Sequence, residues 1–313
     1  MARATSRLLT GMVVAILAAL TVTGCALITE SQSPPGRLET VNGPDGPIKL
    51  FVHEEGRGEP MLLLHGFGGS TQTWRRVMPD LARSNRVIAI DLKGFGRSDK
   101  PFDDAYGLLD QAALIKAFID QRGLSRVTLM GHSLGGGVAL ALALDLNRTR
   151  PGVLKRLILI DSPAYRQALP PAVSLLQTPI LGALTVTLVP PEILTKSAMY
   201  AAYQHAEGID MADVLAYARP LYEPGGKLAV LRTAEQLVPP NIDDLIRNYP
   251  TITQPALLIW CRHDKVVPLW TGTRLVRELP NARLEVFDHC DHVPQEEIAT
   301  DFLRVVLGFL RAN

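Results

Sequence analysis

The segment VTLMGHSLGGGVALALAL, residues Val127 to Leu144, joins strand-forming residues to helix-forming residues through a turn rich in glycine. This order predicts a buried strand that passes directly into a helix. Gly131 and Gly135 flank Ser133 in the pattern G-x-S-x-G, where missing side chains let strand and helix approach closely. Such a turn holds a small polar side chain out at the edge of a sheet, as a nucleophile requires. The alternative is a glycine-rich helix start that Ser133 only caps.

Short apolar runs recur along the chain and alternate with helical patterns. The runs are MLLLHG (61–66), RVIAID (86–91), RVTLMG (126–131), RLILID (156–161), ALLIWC (256–261) and RLEVFD (283–288). Continuous apolar character over this length is typical of strands covered on both faces, as in a parallel sheet. The residues from Leu108 to Gly123 carry a helical pattern that ends at a glycine. The alternation predicts an α/β fold whose mostly parallel sheet is flanked by helices.

Two further features complete the predicted organisation of the chain. The turn-rich NGPDG at Asn42 to Gly46 lies between two strand-like segments and predicts an opening hairpin. The gap between Asp161 and Ala256 is far longer than a simple crossover needs, and prolines interrupt its helical patterns. We therefore expect a helical cap at 163–249 and a core formed by 38–162 and 250–313.

The first residues have the pattern of an export signal. Arg3 and Arg7 precede an apolar run, Leu8 to Leu20, that is shorter than the roughly 20 residues a membrane span needs. VTGC at Val22 to Cys25 resembles the lipobox of bacterial lipoproteins, which implies cleavage before Cys25 and lipidation of its thiol. An ordinary signal peptide or a single anchor, with Cys25 incidental, is the alternative. We expect a signal at 1–25, a flexible tether at 26–37, and a lipid-anchored protein of the bacterial cell envelope.

Composition excludes several classes of protein. The 313 residues are 47% hydrophobic and 20% charged, which is incompatible with a disordered chain. The formal net charge of +1 provides no field that would attract nucleic acid. The glycine-rich turn at Ser133 lacks the lysine of a phosphate-binding loop, and no Cys/His spacing forms a zinc pattern. We expect neither a cofactor nor a metal.

Several separated motifs together resemble the α/β-hydrolase fold, in the branch whose helical cap follows the sixth strand. Besides G-x-S-x-G, they are LLLHGFGGS (62–70), DLKGFGRSDKP (91–101), LIWCRHDKVVP (258–268) and HCDHVPQEE (289–297). The resemblance extends from about Gly43 to the C-terminus, and the serine, aspartate and histidine motifs follow in the order of this fold. It implies an eight-stranded sheet and a serine hydrolase.

The resemblance assigns the nucleophile and the base. Ser133 would attack a carbonyl while a neutral imidazole removes its proton. His292 matches the H-x-P-x-x-E pattern, with Pro294 two residues on and Glu297 five residues on. His289 lies nearer the predicted strand but does not match the pattern.

Asp264 is the expected acid of the triad. It lies three residues beyond the seventh strand, from which its carboxylate could reach and orient His292. Asp161, at the end of strand six, is the rival, since some relatives carry the acid there. A turn-capping role is the alternative for either aspartate.

The family also implies an oxyanion hole formed by the backbone N–H groups of Phe67 and Leu134. We expect His65 and Gly66 to support the oxyanion loop, and Gly131 and Gly135 to support the turn at Ser133. His132, beside the nucleophile, is expected to be structural as well.

Cys261 and Cys290 each lie within three residues of a proposed triad member. A disulfide would be compatible with export, and two unpaired apolar residues are the alternative.

The apolar cap favours a small-molecule carboxylic ester with an acyl chain or aromatic group. Two other functions stay open. One is a carbon-carbon hydrolase of ring-cleavage products, and the other is a catalytically silent protein that binds a ligand or acts as a scaffold.

Overall fold

The structure is a computed structural model that describes residues 35–205 and 209–312. The predicted signal peptide, the predicted lipidation site Cys25 and all but the last residues of the predicted tether lie outside the described residues. Within the described residues, every helix is too short or too polar to cross a membrane.

An eight-stranded sheet forms the centre of the molecule, in the order β1-β2-β4-β3-β5-β6-β7-β8. The strands are β1 Arg37–Gly43, β2 Gly46–Glu55, β3 Pro60–Leu64, β4 Arg86–Ile90, β5 Val127–His132, β6 Leu154–Ile160, β7 Ala256–Cys261 and β8 Ala282–Phe287. The first two form the expected antiparallel hairpin, β2 is antiparallel to β4, and all other neighbours are parallel. The predicted fold class is confirmed.

Helices cover both faces of the sheet. They are α1 Met78–Leu81, α2 Leu108–Gln121, α3 Leu134–Thr149, α4 Pro171–Leu176, α5 Pro179–Leu188, α6 Pro191–Ala202, α7 Met211–Ala218, α8 Gly226–Glu235, α9 Ile242–Asn248, α10 Trp270–Glu278, α11 Pro294–Glu297 and α12 Ala299–Ala312. Alternate strand residues enter two separate cores because side chains alternate across a strand. Leu62 packs with α2 and α3 on one face, and Leu63 packs with α1 and α12 on the other.

The parallel strands bring distant loops to one edge of the sheet. The segments after the carboxyl ends of β5, β6, β7 and β8 carry Ser133, Asp161, Asp264 and His292 respectively. Helices α4 to α9 are inserted between β6 and β7, within the segment predicted as the cap. The insertion therefore begins at the edge that carries these four side chains, and the chain returns to the opposite edge to enter β7, which is parallel to β6.

Candidate active site

Ser133 occupies a sharp turn between β5 and α3. Its backbone has φ 50° and ψ −123°, which a residue with a side chain adopts only when its surroundings enforce it. A Cβ on Gly135 would lie 2.2 Å from the carbonyl oxygen of Leu64, and one on Gly131 would lie 2.3 Å from that of Gly135. The Ser133 side chain makes no hydrogen bond to the start of α3. Its hydroxyl is therefore not used as a helix cap.

His292 and Asp264 form a buried pair. The ring Nδ1 of His292 lies 2.8 Å from Oδ2 of Asp264, and Oδ1 of Asp264 accepts hydrogen bonds from the backbone N–H groups of Val266 and Val267 at 2.7 and 2.9 Å. A carboxylate accepts, so Nδ1 carries the proton. This tautomer leaves Nε2 of His292 with a lone pair for the proton of a nucleophile.

His132 links the turn at Ser133 to the loop that carries His292. Its Nε2–H donates to the backbone carbonyl of His292 over 2.8 Å, and the two ring centroids are 4.9 Å apart. Burial, with the neighbouring His292, lowers the pKa of His132 well below its usual value, so its ring stays neutral. Among the described residues, no hydrogen bond joins the Ser133 hydroxyl to the His292 ring, a contact that often tightens only when substrate binds.

The loop after β3 lies directly against Ser133. A Cβ on Gly66 would lie 3.0 Å from the Cβ of Ser133. Nδ1–H of His65 donates to the carbonyl of Gly66 over 2.8 Å, and its Nε2 accepts the N–H of Leu92 over 2.9 Å. Burial lowers the pKa of His65, which keeps the ring in the neutral form that this pair of bonds needs. His65 therefore fixes the loop to the end of β4.

The two expected oxyanion donors, Phe67 and Leu134, each come directly after one of two neighbouring residues, Gly66 and Ser133. Phe67 follows Gly66, and Leu134 follows Ser133 as the first residue of α3. Within the part of the chain that the structure describes, neither N–H donates to a protein group. The N-terminus of α3 adds its positive end to the same place. The arrangement suits an oxygen that becomes negatively charged.

The profile of the alpha/beta hydrolase fold family matches residues 59–298. The chain belongs to this family. It is 31% identical to a 2-hydroxy-6-oxo-2,4-heptadienoate hydrolase of Pseudomonas putida over 297 residues, which cover 91% of this chain and 100% of that protein.

Solved structures agree with this α/β-hydrolase fold. An alpha/beta hydrolase fold protein from Burkholderia ambifaria is 26% identical with a TM-score of 0.75, covering 88% of this chain and 100% of that one. A thermophilic esterase from Thermogutta terrifontis is 23% identical with a TM-score of 0.71, covering 88% and 98%.

Two carboxylates of this α/β-hydrolase have supporting positions that sequence reasoning did not assign. Asp91 accepts the backbone N–H groups of Thr71 and Arg97 at 2.6 and 2.8 Å, and burial raises its pKa. Glu297 accepts three backbone N–H groups of the His292 loop, from Asp291 at 3.1 Å, His292 at 3.4 Å and Val293 at 3.1 Å. Both residues stood in the quoted motifs, but spacing alone does not reveal backbone partners.

The structure also shows the positions of the two cysteines, His289 and Asp161. Cys261 and Cys290 form a disulfide with their Cα atoms 5.4 Å apart, which links the end of β7 to the loop after β8. His289 is exposed. Asp161 accepts the backbone N–H of Cys261 at 2.9 Å, whereas the ring of His292 bonds Asp264.

Proposed function

We propose that the protein is a serine hydrolase with Ser133 as nucleophile, His292 as base and Asp264 as the orienting acid. The observation that carries the proposal is the Nδ1 to Oδ2 bond between His292 and Asp264, because it presents a basic Nε2 on the same sheet edge as the strained serine. Asp264 would also stabilise the imidazolium that forms during the reaction.

The proposed reaction proceeds through an acyl-enzyme. Oγ of Ser133 bonds to the substrate carbonyl carbon as its proton moves to Nε2 of His292, and the N–H groups of Phe67 and Leu134 bind the resulting oxyanion. The tetrahedral intermediate collapses, and the departing group takes the proton from His292. Water then attacks the acyl-serine by the same route and restores the free hydroxyl.

A carboxylic ester with an apolar acyl or aromatic part is the first candidate substrate. The cap segment 167–191 contains no charged residue. The buried hydrophobic side chains of α5 to α7 are Val186, Met199, Val214 and Ala218. An apolar cap of this composition favours an apolar group over a sugar or a peptide, because the polar groups of those ligands would lose their hydration there.

Hydrolysis of a carbon-carbon bond is the second candidate, and the relative from Pseudomonas putida favours it. That relative is named as a 2-hydroxy-6-oxo-2,4-heptadienoate hydrolase and aligns over its full length. A ketone carbonyl could be attacked by the same serine and base, with a carbon leaving group in place of an alcohol.

Labelling with a fluorophosphonate tests the nucleophile. We expect the wild type to be labelled and Ser133→Ala to be unlabelled with an unchanged thermal melt, because the Ser133 side chain does not cap α3 and the backbone hydrogen bonds of this residue are kept in the variant. Ser174→Ala, at an exposed cap serine, is the matched control and should be labelled normally. Absence of labelling in folded wild type would contradict the proposal and favour a silent ligand-binding or scaffolding protein.

A substrate comparison separates the two candidates. The kcat/KM values for p-nitrophenyl esters of increasing chain length are measured beside that for 2-hydroxy-6-oxo-2,4-heptadienoate. Ester hydrolysis that improves with chain length supports the first candidate. Faster cleavage of the dienoate supports the second and overturns the first.

Export with a lipid on Cys25 is the proposed location. The basic and apolar start of the chain supports it, and a disulfide such as Cys261–Cys290 suits an oxidising compartment. Bacterial cells fed an alkyne fatty acid should label the wild type and not Cys25→Ser. Equal labelling of the two forms, or retention of the full-length chain in the cytosol, would contradict this location.

A further inference from the structure

Asp161 is a buried carboxyl group that the proposed mechanism does not use. It directly follows β6 with φ 43°, and it is fully buried. Its Oδ1 accepts the N–H of Cys261, whereas no hydrogen-bond donor of the described chain reaches its Oδ2. An unpartnered buried carboxylate oxygen is strongly destabilising, so the state of Oδ2 needs a physical explanation.

The neighbours of Asp161 supply the explanation. A carboxylate oxygen of Asp161, one of Asp264 and a ring nitrogen of His292 all lie within 4.8 Å of one another. Two ionised carboxylates cannot hydrogen-bond to each other, because each can only accept a hydrogen bond. If one carries a proton, it donates to the other and the unpartnered oxygen is satisfied.

The hydrogen bonds decide which carboxyl holds the proton. Asp264 already accepts from two backbone N–H groups and from His292, all of which stabilise its ionised form. Asp161 accepts only one N–H. Burial raises the pKa of Asp161 well above its usual value, and the charges of Asp264 and of Glu297 in α11 act in the same direction.

We propose that Asp161 is a positioning residue of the triad, which carries a proton on Oδ2 and donates it in a hydrogen bond to the carboxylate of Asp264. The proposal rests on the serine-hydrolase function above. The proton limits the buried cluster to one negative charge beside His292. The hydrogen bond also holds the carboxylate of Asp264 in place, so that the imidazole keeps its orientation toward Ser133.

Two substitutions separate the functions of this carboxyl group. Asp161→Asn keeps a donor toward Asp264 and an acceptor for the N–H of Cys261, and asparagine tolerates a positive φ. Asp161→Ala removes both groups. We expect the labelling rate to fall roughly ten- to hundredfold in Asp161→Ala and to be largely rescued in Asp161→Asn, because a misplaced catalytic group loses about that much rate. Asp45→Asn, at an exposed aspartate, is the control.

The labelling rate is also measured against pH. On the acidic side the rate falls where His292 becomes protonated, and the pH of this acidic limb would not be moved by a change in packing alone. Without the donor, the charge on Asp264 attracts the imidazolium more strongly, so the limb moves to higher pH in Asp161→Ala and stays in place in Asp161→Asn. If Asp161 were ionised, both variants would lose a negative charge and both limbs would move down by about one unit or more. If the acidic limb stayed at the same pH in both variants, Asp161 would have only a structural role and the proposal would be overturned.

Infrared spectroscopy detects the proton without any turnover. The wild type should show the carbonyl stretch of a protonated carboxylic acid at neutral pH, and Asp161→Asn should lack it. Absence of this band from the wild type overturns the proposal even if Asp161→Ala does not fold. Loss of labelling after treatment with EDTA would also overturn it, because a cation would then balance the two carboxylates. Failure of the wild type to be labelled at all would instead overturn the serine-hydrolase function, and the band would still test Asp161.

Discussion

At the scale of single residues, the site depends on two side chains whose backbone has a positive φ. Ser133 has φ 50° and Asp161 has φ 43°, and each directly follows a central strand of the sheet. A conformation of this kind costs about 1 to 3 kcal/mol, so the surrounding structure must enforce it. The backbone N–H of Ser133 donates to the carbonyl of Ile160, and that of Asp161 donates to Ile259. These bonds to neighbouring strands hold both side chains at the carboxyl edge.

We predict that Asp161→Asn stabilises the protein increasingly as pH rises. Folded Asp161 keeps its proton above the usual pKa of 3.8, whereas the unfolded chain releases it there. The wild type therefore binds more protons when folded and loses stability as pH rises toward the raised pKa of the folded state. Urea unfolding should show the advantage of Asp161→Asn growing by about 1.4 kcal/mol per pH unit above about pH 4. An advantage independent of pH, as expected for the exposed Asp45→Asn, would contradict this.

At the scale of elements, the critical contact is that of α3 with the ends of β3 and β5. A Cβ at Gly131, Gly135 or Gly136 would overlap backbone or side-chain atoms, the last at 1.7 Å from Oγ of Ser162. The helix can therefore begin immediately beside the sheet only because these positions lack side chains. The helix then begins directly after Ser133, with Leu134 as its first residue.

We predict opposite outcomes for two glycine-to-alanine changes in helices. Gly135→Ala would place a Cβ 2.2 Å from the carbonyl oxygen of Leu64, whereas a Cβ at Gly308 in α12 has no atom within 4 Å. Gly135→Ala should lower the unfolding free energy by more than about 3 kcal/mol or prevent folding, as overpacking against backbone does. Gly308→Ala should raise it by about 0.5 to 1 kcal/mol. Equal effects in thermal and urea unfolding would show that α3 can move away from the sheet.

At the scale of the whole molecule, a polar cluster joins the cap to the loop of His292. Arg75, after the 3-10 turn Thr71–Trp74, forms ion pairs with Asp213 of α7 and Glu296 of α11. Glu296 also accepts the hydroxyl group of Tyr217 at 2.9 Å. The ion pair between Arg75 and Glu296 is shielded from solvent on the glutamate side, because the side chain of Glu296 is only 4% exposed. The position of the cap is thereby coupled to the helix that follows His292.

We predict that Arg75→Met destabilises the protein by about 3 kcal/mol, because it leaves the Glu296 carboxylate buried without the cation of its ion pair. Hydrogen exchange should become faster in α7, and substrate KM should rise more than kcat falls. Arg304→Met, which removes an exposed ion pair with Asp301, is the matched control and should change stability by less than about 0.5 kcal/mol. Unchanged exchange in α7 would contradict a coupling between cap and core.

Local patterns in the chain were sufficient to predict the strands, the hairpin, the inserted helices and the turn at Ser133. Each depends on residues close in sequence, through continuous apolar runs, turn-forming residues, helical periodicity or the absence of a Cβ at glycine. The candidate residues Ser133, Asp264 and His292 came from motifs of the same short range together with the family resemblance.

Only the tertiary structure decided how those residues interact. The choice of Asp264 over Asp161 as the partner of His292, the disulfide between Cys261 and Cys290, and the bond from His132 to the His292 loop each join residues distant in sequence. Such pairings depend on strand order and on the register of β6, β7 and β8. Burial between those strands also sets the charge of Asp161, since a carboxyl group in water would ionise and the same group beside Asp264 keeps its proton.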